Sequence, residues 1–300
     1  MIISPLERSI LLTLGYTHQF SYPLTSIELY YRLLNVSQVS GSAFVASLKA
    51  LSASHLIIWD NPYISLGSVS PLIGSREKRS LNSQKKIREL HPLLKFASCI
   101  PWIQAVGLTG SVAMKNASEF DDTDIFMVVE PHSLWLIRPC IVLFSLFRKK
   151  RRTWNKEEPN SWCFNLWLEG NKLAMPSKKR TMYTAYEVCQ VVWMFDRTNV
   201  RQRFLLDNSW VRTYLPRYHS RLLAQKNLIK KNWFIKIVLA VFFPITIVLN
   251  TLSFVVQWWY MRPHMTRERV TLHTAFFHPR DTHGIISERW KDAIQHTVNT

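Results

Sequence analysis

The chain of 300 residues is long enough for two or three domains, and its apolar content of 47% is that of a folded protein, not a disordered one. The formal net charge is +18, of which residues 131–300 carry +17, since residues 1–75 are neutral and residues 76–130 add one. A field of this sign attracts polyanions: nucleic acid, nucleotide phosphates or an anionic membrane surface. The cysteines form no C-x-x-C pair, which argues against a zinc knuckle or a disulfide framework and favours the cytoplasm.

Residues 1–72 form the first predicted unit, in the order helix, helix, helix, hairpin. The helices are predicted from apolar spacing over residues 5–14, 27–34 and 42–51, and the strands over 55–59 and 63–66. This order resembles a winged helix, in which the third helix enters a groove of nucleic acid and the hairpin is the wing. Lys49 is the only cation on the third helix, so nucleic-acid binding and a packing or protein-contact role both remain open.

The rest of the chain divides into a connector, a sheet region and a C-terminal region. Residues 73–99 are a predicted basic helical connector, whose cations we interpret as a solvated face. Residues 100–180 predict a small mixed sheet with strands over 103–108, 125–129 and 162–168 and an apolar helix over 134–147. After Arg180 the pattern predicts only helices, over 183–195, 200–206, 217–229 and 233–260, so residues 181–300 are expected to be basic and largely helical. The predicted fold class is α/β (α+β).

A cluster of acidic residues opens the second strand of the predicted sheet. Five of the chain's twenty carboxylates lie between residues 119 and 130. Such crowding is unfavourable without a cation, because like charges repel. Asp122 and Asp124 are two positions apart at the start of a strand, so their side chains point to one face. Neighbouring carboxylate oxygens suit Mg²⁺ or Mn²⁺, and the sequence therefore predicts a metal site here.

Gly110 and Ser111 directly follow the first strand of that sheet. A glycine lets the backbone approach a phosphate closely, and a serine can donate both its hydroxyl and its N–H to it. A helix beginning at this point would direct its positive end to the same anion. We therefore expect Gly110 and Ser111 to bind phosphate beside Asp122 and Asp124.

The stretch over residues 107–129 resembles the nucleotidyltransferase superfamily related to DNA polymerase β. The shared features are an apolar strand, Gly110-Ser111, a loop, and Asp122-Thr123-Asp124 opening the next strand, with Asp122 eleven positions after Ser111. The resemblance implies transfer of a nucleoside monophosphate from an NTP to an acceptor hydroxyl. It also implies that Asp122 and Asp124 hold the metal ions, and that Gly110 and Ser111 bind the β- and γ-phosphates. The basic charge of the chain makes a polyanion such as RNA a candidate acceptor.

Two positions depart from the family pattern. Lys115 stands where the family carries glycine or another small residue, and Asn165 stands where a later strand supplies the third carboxylate. Asn165 is a neutral ligand and a poor general base, and Glu169 lies roughly 13 Å further along that strand. An active transferase, which we prefer, and a nucleotide-sensing or nucleic-acid- or protein-binding regulator therefore both remain open.

Residues 237–256 carry no charge over twenty positions, which meets the length criterion for a membrane span. Pro244 and Asn250 interrupt the segment. Basic residues flank it on both sides, namely Lys230, Lys231, Lys236, Arg262, Arg267 and Arg269. Membrane association through this segment and a buried helix of the C-terminal region both remain open. The expected location is the cytoplasm, with or without membrane attachment.

Overall fold

The computed structural model describes residues 3–66, 70–151, 159–225, 233–265 and 268–277, together with residues 284, 286, 288 and 290. The described chain is a mixed α/β structure with two sheets. The helices are α1 (Pro5–His18), α2 (Ser26–Arg32), α3 (Gly41–Ala53), α4 (Ser70–Glu89), α5 (His91–Cys99), α6 (Gly110–Ala113), α7 (Leu134–Phe147), α8 (Met182–Gln190), α9 (Val200–Asp207), α10 (Pro216–Ala224) and α11 (Trp233–Met261). The strands are β1 (Leu24–Thr25), β2 (Ile58–Asp60), β3 (Tyr63–Ser65), β4 (Ile103–Leu108), β5 (Thr123–Val129), β6 (Trp162–Glu169), β7 (Val192–Asp196), β8 (Arg269–Val270) and β9 (Thr274–Phe276).

The N-terminal unit packs α1, α2 and α3 against an antiparallel sheet of order β1-β3-β2. Ser4 and Thr25 start α1 and α2 through capping boxes, which satisfy the first backbone N–H groups of each helix. The three predicted helices and the predicted hairpin are present, and β1 is an additional strand. β2 begins at Ile58, later than predicted, because His55 has a φ of 58° in the turn that ends α3.

The second sheet has the order β7-β4-β5-β6-β9-β8, with β5 and β6 parallel and every other pair antiparallel. Alternate residues of β5 enter two different cores. Ile125 and Met127 pack on the side of α5 and α7, whereas Phe126 and Val128 pack on the side of α8 and α9. Because β4 and β5 are antiparallel, the end of β4 and the start of β5 lie side by side.

The prediction that only helices follow Arg180 is wrong. The predicted helix over 183–195 ends at Gln190, Val191 is extended (φ −56°, ψ 121°), and β7 follows and pairs with β4. Its apolar, partly aromatic run fits helical and strand spacing alike, and pairing with a neighbouring strand decides between them. β9 and β8 form the opposite edge of the sheet. The C-terminal region therefore contributes three strands to the central sheet. Residues 226–229 of the predicted helix over 217–229 lie outside the described residues.

Helix α4 connects the N-terminal unit to the central sheet through three of its cations. Arg76 binds Glu28 of α2 at 2.9 Å, and Arg79 donates to a backbone carbonyl after α1 at 3.2 Å. Lys86 donates to the carbonyl of Asp121 at 2.7 Å. The interpretation of this run as a solvated face is therefore wrong for these three residues. It holds for the exposed cations Lys78, Lys85 and Arg88.

Candidate functional site

Gly110 and Asp124 lie in direct contact where β4 ends and β5 begins. The Thr109 N–H donates to the carbonyl of Asp124 at 3.1 Å, which fixes the two segments side by side. Gly110 has a φ of 63°, a conformation that side-chain-bearing residues rarely adopt. A Cβ at this position would also collide with the Asp124 carboxylate. The structure thus brings the predicted glycine and the predicted acid together, and glycine is required for both reasons.

Both carboxylates of the Asp pair are oriented by polar neighbours near β6. Ser161 Oγ donates to Asp122 Oδ1 at 2.8 Å, and Asn165 Nδ2 donates to Asp124 Oδ1 at 2.8 Å. Asn165 is 4% exposed, and its Oδ1 is a buried acceptor with no hydrogen-bond partner in the described structure. Asn165 therefore does lie at the site, where it positions Asp124 and presents an unused oxygen.

The loop between Ser111 and Asp122 is held by Asp121. Burial raises the pKa of Asp121, but hydrogen bonds from Ser118, the nearby side chain of Ser111 and the charge of Lys86 outweigh it, so the pKa is lowered. Ser111, which was expected to bind phosphate, thus lies near Asp121 and helps to lower its pKa. Lys115 has a φ of 57°, a conformation that favours glycine, which is the residue that the resemblance leads us to expect here.

Glu187 on α8 is a carboxylate at this site that sequence analysis missed. Burial raises its pKa from the ordinary 4.5 to about 7, and the charge of Asp124 adds to the shift. Tyr183, one helical turn earlier, has its pKa raised by burial and by the charges of Glu187 and Asp124. The available signal was a lone acid on a helix whose neighbours Ala185, Tyr186, Val188 and Cys189 are all buried.

The oxygen donors at this site fit Mg²⁺ or Mn²⁺. Asp122 and Asp124 are acidic, and the unpartnered Oδ1 of Asn165 adds a neutral oxygen donor. Burial and then the charge of Asp124 raise the pKa of Glu187, and a divalent cation near Asp124 would oppose the second of these effects. Hard oxygen ligands of this kind favour Mg²⁺ or Mn²⁺ over zinc.

Glu169 does not belong to this site. It is fully buried at the far end of β6, where its Oε2 lies 2.8 Å from His273 Nδ1 and its Oε1 accepts the His132 N–H at 2.8 Å. Among the described residues, these three side chains form a group whose potential metal-ligand atoms lie within 4.8 Å of one another. Each carboxylate oxygen already has a donor, so the group is explained as a buried acid satisfied by hydrogen bonds.

Comparison of the chain with protein-family models, with curated protein sequences and with solved structures gives no match in any of the three. The function of the chain therefore has to be inferred from the site itself. Two features of the site bear on function. The first is the contact between Gly110 and Asp124, and the second is the presence of the further acids Asp122 and Glu187 near Asp124.

Proposed function

We propose that the protein is an Mg²⁺-dependent nucleotidyltransferase that moves a nucleoside monophosphate from an NTP to an acceptor hydroxyl. The observation that carries the proposal is the contact between the Gly110 backbone and the Asp124 carboxylate. It supports a phosphate loop and a metal-binding acid acting on the same phosphate group. Mg²⁺, or Mn²⁺ in its place, would stabilise the entering and leaving oxygens when bound.

Each residue of the site has a role in this proposal. Asp122 and Asp124 hold the cation, and the hydrogen bonds from Ser161 and Asn165 keep them oriented. Gly110 admits the phosphates, and the adjacent Ser111 can donate its N–H and its hydroxyl to them. Such chemistry depends mainly on positioning and on electrostatic stabilisation.

Glu187 supplies the third acid, which the sequence pattern placed on β6. A pKa of about 7 suits a general base at neutral pH, because the group is both substantially ionised and able to accept a proton. In the proposed reaction its carboxylate accepts the proton of the attacking hydroxyl, whose oxygen bonds to the α-phosphorus of the NTP while the bond to the β-phosphate breaks and pyrophosphate leaves. Asn165 then serves as a positioning residue, and its neutral side chain does not prevent activity.

In this proposal the N-terminal unit acts as a winged-helix module that binds either the acceptor or a protein. Its helices and strands follow the winged-helix order, and β1 is paired with β3 beside the hairpin. One face of α3 is exposed and includes Lys49. The charge of +17 in residues 131–300 makes RNA a suitable acceptor.

The second candidate function is a nucleotide-sensing regulator that does not transfer the nucleotide. The observation that favours it is the neutral side chain of Asn165, which lies beside Asp124 where the resemblance implies a third carboxylate. In this alternative the site binds an NTP, and the N-terminal unit binds nucleic acid or protein. The cytoplasm, with or without membrane attachment, is the proposed location for either function.

The two functions are distinguished by incubating the protein with labelled NTPs, Mg²⁺ and either total RNA or a cell extract. We expect label to enter an acceptor with the native protein and to be lost with the double variant Asp122→Ala/Asp124→Ala. Labelling should also fall with Glu187→Gln, which removes the proposed general base, and Glu77→Gln, at an exposed acid on α4, is the matched control that should label like the native protein. Label incorporation that survives the double substitution would contradict the proposed site. NTP binding with no acceptor labelled under any condition would favour the regulator.

A further inference from the structure

Helix α11 is the longest helix of the described chain and the most apolar in composition. It has 29 residues, or about 43 Å at the usual helical rise. Its most apolar window has a mean hydropathy of 2.2, yet only 11% of that window is buried. Among the described residues it supplies more than half of the large apolar side chains that are exposed. A water-soluble protein rarely leaves so large an apolar surface uncovered.

One polar stripe attaches α11 to the central domain. Thr246, Asn250, Ser253 and Gln257 recur every three or four residues and so lie on one helical face. Asn250 Oδ1 accepts the backbone N–H of Trp135 at 2.8 Å at the start of α7. Ser253 Oγ and Gln257 Nε2 both donate to the carbonyl of Trp135 at 2.7 Å. This face is therefore fixed on α7.

The opposite face of α11 is apolar and exposed. A second stripe with the same helical spacing runs along that face, at Val241, Ile245, Val248, Leu252, Val255 and Trp259. Val248 and Val255 are 57% and 56% exposed. Position 248 lies two residues beyond position 246, about 200° around the helix, so the two stripes face in opposite directions. The helix thus holds the domain on one side and presents hydrocarbon on the other.

The docked geometry excludes a membrane-spanning role for α11. Twenty of the 29 residues of α11 run along the central domain. They begin at Phe242, whose ring contacts Trp102, and end at the buried Met261. A transmembrane helix needs about 20 residues surrounded by lipid or by other membrane helices. Only the nine residues of α11 before Phe242 would remain for that purpose. The helix can therefore enter a bilayer only while lying in its plane.

We propose that α11 seats the protein on an anionic bilayer as an in-plane helix, with its exposed stripe in the hydrocarbon and the domain above it in water. The charge of the chain favours lipid over a second copy, because two copies would bring +18 against +18. Lys236 and Arg262 are exposed at the two ends of α11, and Trp233 and Trp259 place amphipathic aromatic rings near those ends. Lys230, Lys231 and Arg267 lie outside the described residues. The proposal does not depend on nucleotidyl transfer.

The first test is flotation of the full chain with vesicles of phosphatidylcholine, with and without phosphatidylserine. We expect co-flotation with the anionic vesicles and a reduction of at least about tenfold for Val248→Lys/Val255→Lys, since lysine is costly in hydrocarbon. Leu81→Lys, an equally exposed position on α4, is the matched control and should float like the native protein. Circular dichroism of each variant verifies folding. Equal flotation of all three proteins would overturn the proposal.

The second test separates an in-plane helix from a span and from a dimer interface. Single cysteines are placed at Trp233 and at Pro263 in a protein whose exposed Cys99 and Cys140 are changed to serine. With protein added to preformed vesicles, an impermeant maleimide added outside should label both positions. Protection of one end would show a span and overturn the in-plane geometry. A dimer in lipid-free solution that becomes a monomer in Val248→Lys/Val255→Lys, with no vesicle binding by the native chain, would show that a second copy covers this face.

Discussion

The two ends of the β5–β6 pair surround their buried acids with different neighbours. Near the start of β5, burial raises the pKa of Glu187, and the negative charge of Asp124 raises it further. At the end of β6, Glu169 is more deeply buried, but a histidine ring and a backbone N–H satisfy both of its oxygens. Burial of a carboxylate is therefore not itself a sign of function in this protein. The candidate site differs from the other end of the sheet in that acids, and not only hydrogen-bond donors, lie near one another.

We expect the largest difference in kcat between amide substitutions of one acid at each end of the strand pair. Asp124→Asn should lower kcat by about 1000-fold, because it removes a charge that acts in the transition state. Glu169→Gln keeps the size of the side chain at the other end but replaces one acceptor by a donor, so it should lower stability and leave the kcat of the folded protein unchanged. Steady-state kinetics with the acceptor found by labelling provide the measurement. Comparable losses in kcat for both variants would remove the distinction between the two ends.

Gly110→Ala tests the contact at the acidic end. A methyl group there would meet the Asp124 carboxylate and would occupy a strained φ, so we expect a loss of about 1–3 kcal/mol in the free energy of unfolding. The displaced acid should also lower kcat/KM by roughly 10- to 100-fold. Gly41→Ala is the control, since its added Cβ meets nothing within 4 Å. Normal kinetics for Gly110→Ala would argue against a role for this contact.

Glu187→Gln should stabilise the protein at high pH. The folded pKa of about 7 exceeds the ordinary 4.5, so the native state loses stability as pH rises from about 4.5 to 7. The variant escapes that loss and should gain about 1–3 kcal/mol over the native chain at pH 8, with little difference below pH 4.5. Urea unfolding without divalent cations measures the gain, and added Mg²⁺ should reduce it. A difference that does not change with pH would show that Glu187 is ionised normally.

His273→Ala gives the smallest predicted effect, at the opposite end of the sheet. Removing the ring leaves Glu169 Oε2 without its donor and should cost about 1–2 kcal/mol of stability. Activity should remain at the native level, because this end takes no part in the reaction. His91→Ala, at an exposed histidine that starts α5, controls for the loss of a histidine. Loss of activity in a fully folded His273→Ala protein would contradict this prediction, because it would show that the end of β6 affects the reaction.

The features that the sequence predicted depend on residues close together in the chain. Gly110 and Asp124 lie within fifteen residues, and their contact agrees with the predicted placement. The N-terminal helices were predicted from equally local signals, since capping residues and apolar spacing act over a few residues. Asn165 was placed at the site by the resemblance, in which a later strand supplies the third carboxylate. Its hydrogen bond to Asp124 agrees with that placement.

The features that the sequence did not predict depend on tertiary contacts. Glu187 lies 63 residues after Asp124, and no local spacing relates the two. The two acids influence each other only because α8 and β5 pack into the same core. The strand β7 has an apolar run that is equally compatible with a helix, and only its pairing with β4 determines the outcome. The short strands β8 and β9 likewise depend on tertiary contacts, since β9 pairs with the edge of β6 and β8 pairs with β9.

Helix α4 has a mechanical consequence for the whole molecule. Arg76 binds the N-terminal unit and Lys86, ten residues later, binds the backbone of the loop that carries Asp121, so about 15 Å of stiff helix separates the two attachments. A force on α2 is therefore transmitted to the loop between Ser111 and Asp122. If the site binds a nucleotide as proposed, a partner that shifts the N-terminal unit should change the nucleotide affinity. By thermodynamic reciprocity, the nucleotide should then change the affinity for that partner by the same factor.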